Sequence, residues 1–251
     1  WLIDTDGRRY LDAISSLWVT VHGHRRVELD VAVKAQLDRV AHSTLLGLAS
    51  VPSIELAKKL ASIAPEGLTR VFYSDSGSTA VEVAVKMAYQ YWQLTGQPKK
   101  QRFVALEEAY HGDTIGSVSV GGIDLFHRLF KPLLFDVHHA PQPYCYRCPF
   151  GLSYPSCELR CADDIKEVLA TTTTGQPAAF IAEPILGVGG FITPPKEYFQ
   201  RVLEPVRKAG ALFICDEVQT GWGRTGTYWS GIEHYGVQPD IMTFAKGVAS
   251  G

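Results

Sequence analysis

An α/β fold with a mostly parallel sheet flanked by helices is what this sequence predicts, on three observations. Helical periods alternate with short apolar runs along most of the chain. Two of those runs end in a charged residue, 211–216 in Asp216 and 241–246 in Lys246, where an α/β sheet places its ligands. The 251 residues, 46% of them hydrophobic, also suffice for one large α/β domain, or one domain plus pieces of another.

In chain order, Trp1 to Asp4 read as a strand entering a tight turn at Asp6 and Gly7. Residues 28–43 and 53–62 have amphipathic helical spacing, and 70–73 form a short strand. Residues 74–78 then lead into a strongly helical stretch at 79–94. Strands are expected at 102–106, 178–182, 211–215 and 241–245, and a helix at 196–208. The stretch 140–161, rich in Pro, Cys and Tyr, reads as a loop excursion. Residues 1–45 are expected to belong to an N-terminal small-domain region and 46–251 to a larger domain, incomplete at its C-terminal end. No initiator Met precedes Trp1 and no closing helix follows Lys246, so the sequence reads as a fragment of a longer protein.

Charge narrows the function. With 24 Lys and Arg against 26 Asp and Glu, and no basic block or acidic tail, neither nucleic acid nor a membrane surface is implied. No apolar run approaches the roughly 18 residues of a membrane helix, and the start lacks the pattern of a secretory signal. A cytoplasmic protein acting on small molecules is the expectation.

Asp216 and Lys246 carry the chemistry. An amine at a strand end, partly desolvated and near other positive charge, has its pKa lowered and forms a Schiff base. A carboxylate at the same sheet edge keeps a pyridine nitrogen protonated, so the two residues suit the two ends of pyridoxal phosphate. A solvated loop lysine and a turn or N-cap aspartate are the plainer readings. Ser76-Gly77-Ser78, between a strand and a helix, offers backbone N–H groups to a phosphate, or is an ordinary N-cap. Tyr110, after another strand, could lie flat on a cofactor ring or be core. The loop from Gly221 to Gly226 opens no helix, so a nucleotide is a poor fit. Within it, Arg224 suits a substrate carboxylate, or an ion pair with Glu217 or Glu233.

Together these residues resemble the class III aminotransferases, pyridoxal-phosphate enzymes of fold type I. The matching pieces are Tyr73 to Ser78, Tyr110 to Asp113, Glu183-Pro184, Asp216 to Gly221, Gly223 to Gly226, and Pro239 to Gly247, in the family's order. The resemblance implies that Lys246 carries the cofactor, Asp216 holds the pyridine nitrogen, Gly77 and Ser78 bind phosphate, and Tyr110 stacks on the ring. It also implies a homodimer with shared active sites, a C-terminal small domain beyond Gly251, and an inactive isolated fragment. Asp12 to Trp18, His22 to His24, Ala41 to Thr44 and Asp113 to Ser119 look like the branch that makes 7,8-diaminononanoate from 8-amino-7-oxononanoate in biotin biosynthesis. By that likeness Leu17, Trp18, Tyr110, Asp113 and Arg224 face substrate. Many members of the branch carry two tryptophans in tandem where this chain has Leu17 and Trp18, which leaves the amino donor open between S-adenosylmethionine and lysine. Glu183 to Gly190, with Gln219 and Trp222, look equally like class III enzymes that aminate pyruvate or glyoxylate from ω-amino acids.

Cys145, Cys148, Cys157 and Cys161 form C-x2-C-x8-C-x3-C, spacing that could hold zinc in a small binding module. The other motifs need no metal, so reduced thiols packed in the loop, with no metal site, are expected. Cys215 reads as core.

Overall fold

The computed structural model describes residues 1–171 and 176–249. The chain divides into two compact units, one made of Trp1–Ala64, Thr69–Val71 and Lys246–Gly251, the other of Pro65–Leu68 and Phe72–Ala245.

The first unit opens with an antiparallel pair, β1 (Leu2–Ile3) and β2 (Arg9–Tyr10). Asp4 closes the turn between them, its carboxylate accepting the N–H groups of Asp6 and Arg8 and the Tyr10 hydroxyl. A single turn follows, α1 (Ser15–Trp18), then helices α2 (Val27–Leu37) and α3 (Val51–Ile63). α2 stops short of the expected residue 43 because its end tightens, Arg39 N–H bonding back to Gln36 O, while the Gln36 amide donates to Val40 O. α3 starts at a reciprocal cap between Ser50 and Ser53, with Pro52 in the first turn, where its missing N–H costs nothing.

The second unit is built on five parallel strands in the order β4-β3-β5-β6-β7. They are β3 (Arg102–Leu106), β4 (Val137–Ala140), β5 (Pro177–Ala182), β6 (Leu212–Asp216) and β7 (Ile241–Thr243). Its helices are α4 (Gly77–Leu94), the short α5 (Ile115–Val120) and α6 (Asp124–His127), α7 (Arg160–Thr171) and α8 (Tyr198–Lys208). Alternate strand residues serve opposite faces. Val104, Leu106, Phe180, Phe213 and Cys215 share a core with Ile165 and Leu169 of α7 and Phe199, Val202 and Val206 of α8. Phe103, Ala105, Ala179, Ile181 and Ile214 pack with Val81, Ala84, Val85, Ala88 and Trp92 of α4. Burial on both faces is why these strands read as near-continuous apolar runs.

Three side-chain hydrogen bonds help tie the layers. Trp92 Nε1 donates to Ala178 O at 2.9 Å. Lys100 lies over the Trp92 ring at 4.2 Å and donates to the carbonyls of Ala209 and Gly210, just past α8, where a cation meets the helix dipole.

The structure corrects part of the element reading. Residues 70–73 form no strand; Phe72 is 63% exposed and the segment has no ladder partner among the described residues. β4 and α7 were not expected. β4 carries two histidines in four residues, so it lacks an apolar run, and α7 begins inside what reads as the Cys-rich loop.

Candidate active site

β6 ends on Asp216, which is 2% exposed. Its Oδ1 accepts the Val218 N–H at 3.0 Å and the Thr243 hydroxyl at 3.2 Å, while Oδ2 stands 2.6 Å from His111 Nδ1. The β6–β7 register sets this up by placing Asp216 opposite Thr243. His111 is buried as well, and its Nε2 has no hydrogen-bond partner among the described residues. Burial alone would lower its pKa, but the bond to Asp216 and the charges of Asp216 and Glu183 outweigh that and leave it raised.

Glu183 follows β5 as Asp216 ends β6. It is 3% exposed, accepts the Tyr110 N–H at 3.0 Å on one oxygen and accepts the Gly187 N–H at 2.9 Å on the other. Burial pushes its pKa up to about 7, with the nearby Asp216 charge adding to the rise and His111 and the two N–H groups opposing it. A carboxyl held above its ordinary value binds its proton more tightly when folded. Its stabilising contribution is therefore complete below about pH 4.5 and is lost as pH rises through about 7. Glu183→Gln, neutral throughout, is expected to remove that loss. Chemical denaturation across this window should show the advantage of the native protein over the variant shrinking toward neutral pH; a constant difference would mean that Glu183 does not titrate there.

The segment carrying His111 is fixed against the start of α4. Tyr110 donates its hydroxyl to Asp113 Oδ2 at 2.7 Å and meets Phe126 edge-on at 5.4 Å. Ser78 Oγ accepts the Asp113 N–H at 3.1 Å. Gly112 has φ of 123°, and a Cβ there would stand 2.8 Å from Ser78 Cα, so close approach requires glycine. Ser76 caps α4 reciprocally with Thr79, which leaves the N–H groups of Gly77 and Ser78 in the first turn, where no intrahelical acceptor exists. A Cβ on Gly77 would lie 2.8 Å from a Val218 methyl, which ties the helix start to the chain just after Asp216. Glu82 of α4 accepts the Thr114 hydroxyl at 2.6 Å and the Ser117 N–H at 3.2 Å, satisfying the first turn of α5.

Beyond Asp216, Glu217 is wholly buried and organises the loop. Its carboxylate takes the Thr220 hydroxyl at 2.5 Å and the N–H groups of Gly231 and Ile232, each at 2.8 Å. Gln219 lies against Gly187, with its buried Oε1 lacking a partner among the described residues. Trp222, at φ 65°, donates Nε1 to Ala245 O at 3.1 Å and packs beside Phe244. Arg224 is exposed in the turn between Gly223 and Gly226.

The first unit holds the other expected residues. Lys246, at φ 46°, begins a 3-10 turn, and its Nζ lies 5.7 Å from the centre of the Trp18 ring. Leu17 is 59% exposed.

The second unit thus brings together Asp216, Tyr110, Asp113, Gly77 and Ser78 through direct contacts or one shared neighbour. Sequence reading quoted His111, Glu183 and Gln219 within motifs without giving them these roles. For Glu183 a signal existed, an acid closing an apolar run as Asp216 does. His111 lies 105 positions from Asp216, and no local pattern announces their bond.

Cys145, Cys148, Cys157 and Cys161 line one small cavity with Tyr144 and Tyr154. All four are free thiols, and burial pushes Cys161 up to about 12. No group of three or more His, Cys, Asp or Glu among the described residues is arranged to hold a metal ion.

The adenosylmethionine-8-amino-7-oxononanoate aminotransferase of Geobacter sulfurreducens is 50% identical over 253 residues, covering 100% of this chain and 55% of the relative. A crystal structure of the same-named enzyme from Methanocaldococcus jannaschii superposes with a TM-score of 0.89 at 42% identity, covering 100% of this chain and 55% of that one. A thermostable (S)-enantioselective omega-transaminase from Thermomicrobium roseum gives 0.95 at 41% identity, covering 100% and 56%. The chain therefore spans about half the length of the curated relatives it matches. The family model for class III aminotransferases matches residues 1–251, and this chain belongs to that family.

Proposed function

We propose that the protein carrying this chain is a pyridoxal-phosphate-dependent transaminase that moves an amino group from S-adenosylmethionine or lysine to 8-amino-7-oxononanoate, giving 7,8-diaminononanoate. It acts in this reading as a cytoplasmic homodimer with shared active sites, and residues 1–251 alone are inactive. The observation that carries the substrate assignment is the 50% identity, along the whole chain, to relatives named for that reaction. No described helix is long and apolar enough to cross a membrane.

The residues present fit pyridoxal phosphate. A buried carboxylate, Asp216, is braced by three partners, and two further buried polar atoms, His111 Nε2 and Gln219 Oε1, have no partner among the described residues. When bound, the cofactor supplies an aldehyde for the amine and a ring that withdraws electrons. Asp216 would hold the ring nitrogen and keep it protonated, with His111 fixing the carboxylate's orientation. The first-turn N–H groups of Gly77 and Ser78, at the positive end of α4, would take the phosphate. Tyr110 would cover the ring. Lys246 Nζ would carry the cofactor and, once freed by the incoming amine, would take a proton from the donor carbon as base and hand it on to the cofactor as acid. Arg224, Leu17, Trp18 and Asp113 would contact substrate.

Transfer from an ω-amino acid to pyruvate or glyoxylate is the second reading, favoured by the high likeness to the T. roseum omega-transaminase. Half-reactions decide between them. The whole protein should lose the absorbance of its lysine-bound cofactor with S-adenosylmethionine or lysine and regain it with 8-amino-7-oxononanoate. Recovery with pyruvate and none with 8-amino-7-oxononanoate would establish the second reading instead.

A further inference from the structure

The turn α1 is the longest strained run among the described residues of the first unit. Ser15, Ser16, Leu17 and Trp18 have φ of 51°, 47°, 63° and 69°, and none is glycine. L-residues enter this left-handed region singly rather than in runs, because Cβ crowds the following carbonyl. A run of four persists only where its surroundings over-determine it, and strain of this kind collects at functional segments.

Local bonds within the turn supply part of the restraint, with Trp18 N–H donating to Ile14 O at 2.7 Å and Val19 N–H to Ser15 O at 2.9 Å. Asp12 supplies the rest. Its Oδ1 accepts the Ser16 N–H at 2.8 Å, and its Oδ2 accepts the Ser16 hydroxyl at 2.8 Å and stands 2.7 Å from His24 Nε2. Ser16 is thereby gripped at both its backbone and its side chain by one charged group, and His24 holds that group from the other side. The turn ends on Trp18, whose ring faces Lys246 Nζ.

We propose that Asp12 is a positioning residue: it braces the left-handed turn so that the Trp18 indole lies against Lys246. An aromatic face at this distance favours a charged amine and limits where the amine goes. Asp12 thus acts on Lys246 and on the substrate wall through Trp18, without touching either substrate or cofactor. The inference rests on the reading of Lys246 as the cofactor-bearing lysine.

The test uses the whole protein loaded with pyridoxal phosphate. Asp12→Ala is expected to raise KM about tenfold, the scale of one lost hydrogen bond to a charged group, with a smaller change in kcat. Amide exchange at residues 16–20 should quicken, and borohydride trapping of cofactor on Lys246 should slow. Adding Ser16→Gly to Asp12→Ala should restore KM, since glycine takes this backbone conformation without strain. A merely structural aspartate would give no such rescue. Asp12→Asn, which keeps one acceptor for the Ser16 N–H, should fall between native and Ala, and it carries the test if Asp12→Ala does not fold. Native KM and native exchange in a folded Asp12 variant, or failure of Ser16→Gly to rescue, would overturn the proposal. No trapped cofactor on Lys246 in the unmutated protein would instead defeat the cofactor reading, while the exchange data would still report on the clamp.

Discussion

Lys246→Ala in the whole protein is expected to remove turnover to background and, with it, all borohydride-trapped cofactor. Two functions meet at one Nζ in the proposed mechanism. The amine attaches the cofactor, and it shuttles the proton at the donor carbon, a general acid-base task worth about 10²–10⁴-fold alone. Losing both exceeds what most assays resolve. The substitution is mild for the fold, because Lys246 begins a short 3-10 turn and contributes no buried residue to either core. A melting temperature close to native would therefore separate lost chemistry from lost structure. Lys246→Arg should behave like Ala, since a guanidinium does not deprotonate in proteins and cannot serve as the amine. A Lys246→Ala protein that retains both turnover and trapped cofactor would end the assignment.

The sheet and the charge that ends β6 were legible because burial on both faces writes an apolar run into the sequence, and a charged residue at its end breaks that run; Lys246, by contrast, lies past the end of β7 at Thr243 and begins a 3-10 turn. β3, β5 and β6 follow this rule, as does the long apolar stripe of α4. β4 escaped because an edge strand needs less apolar sequence, and Val137–Ala140 spends half its length on histidine. The motifs located Asp216, Tyr110 and Ser78, but which atoms meet depends on register and on close packing at Gly77 and Gly112. Tyr110 illustrates the gap. Its aromatic character was visible, whereas the hold on its backbone by Glu183, 73 positions away, is purely tertiary. The left-handed turn was invisible for a different reason. Sequence signals for positive φ are glycine and asparagine, and Ser15–Trp18 contains neither; the turn is explained by its own backbone bonds together with the Asp12 contacts.

Asp216→Asn separates charge from geometry at the end of β6. Asparagine keeps an oxygen for the Val218 N–H and the Thr243 hydroxyl, so the end of β6 should hold its place. Its amide nitrogen would then face His111 Nδ1, which must change from donor to acceptor, moving the imidazole proton to Nε2. That atom is buried and has no partner among the described residues, so the exchange costs some stability but leaves the packing intact. What disappears is the negative charge that would keep the ring nitrogen protonated. By the scale of removing one preorganised charge-stabilising group, kcat should fall about 10²–10³-fold. Cofactor should still be trapped on Lys246, because attachment needs the amine and not the carboxylate. Asp216→Ala should fall further and melt lower, since it strips partners from His111, Thr243 and the Val218 N–H together. If Asp216→Asn instead keeps kcat within a few-fold of native while remaining loaded, Asp216 is a structural anchor for His111, and protonation of the ring must be assigned to another group.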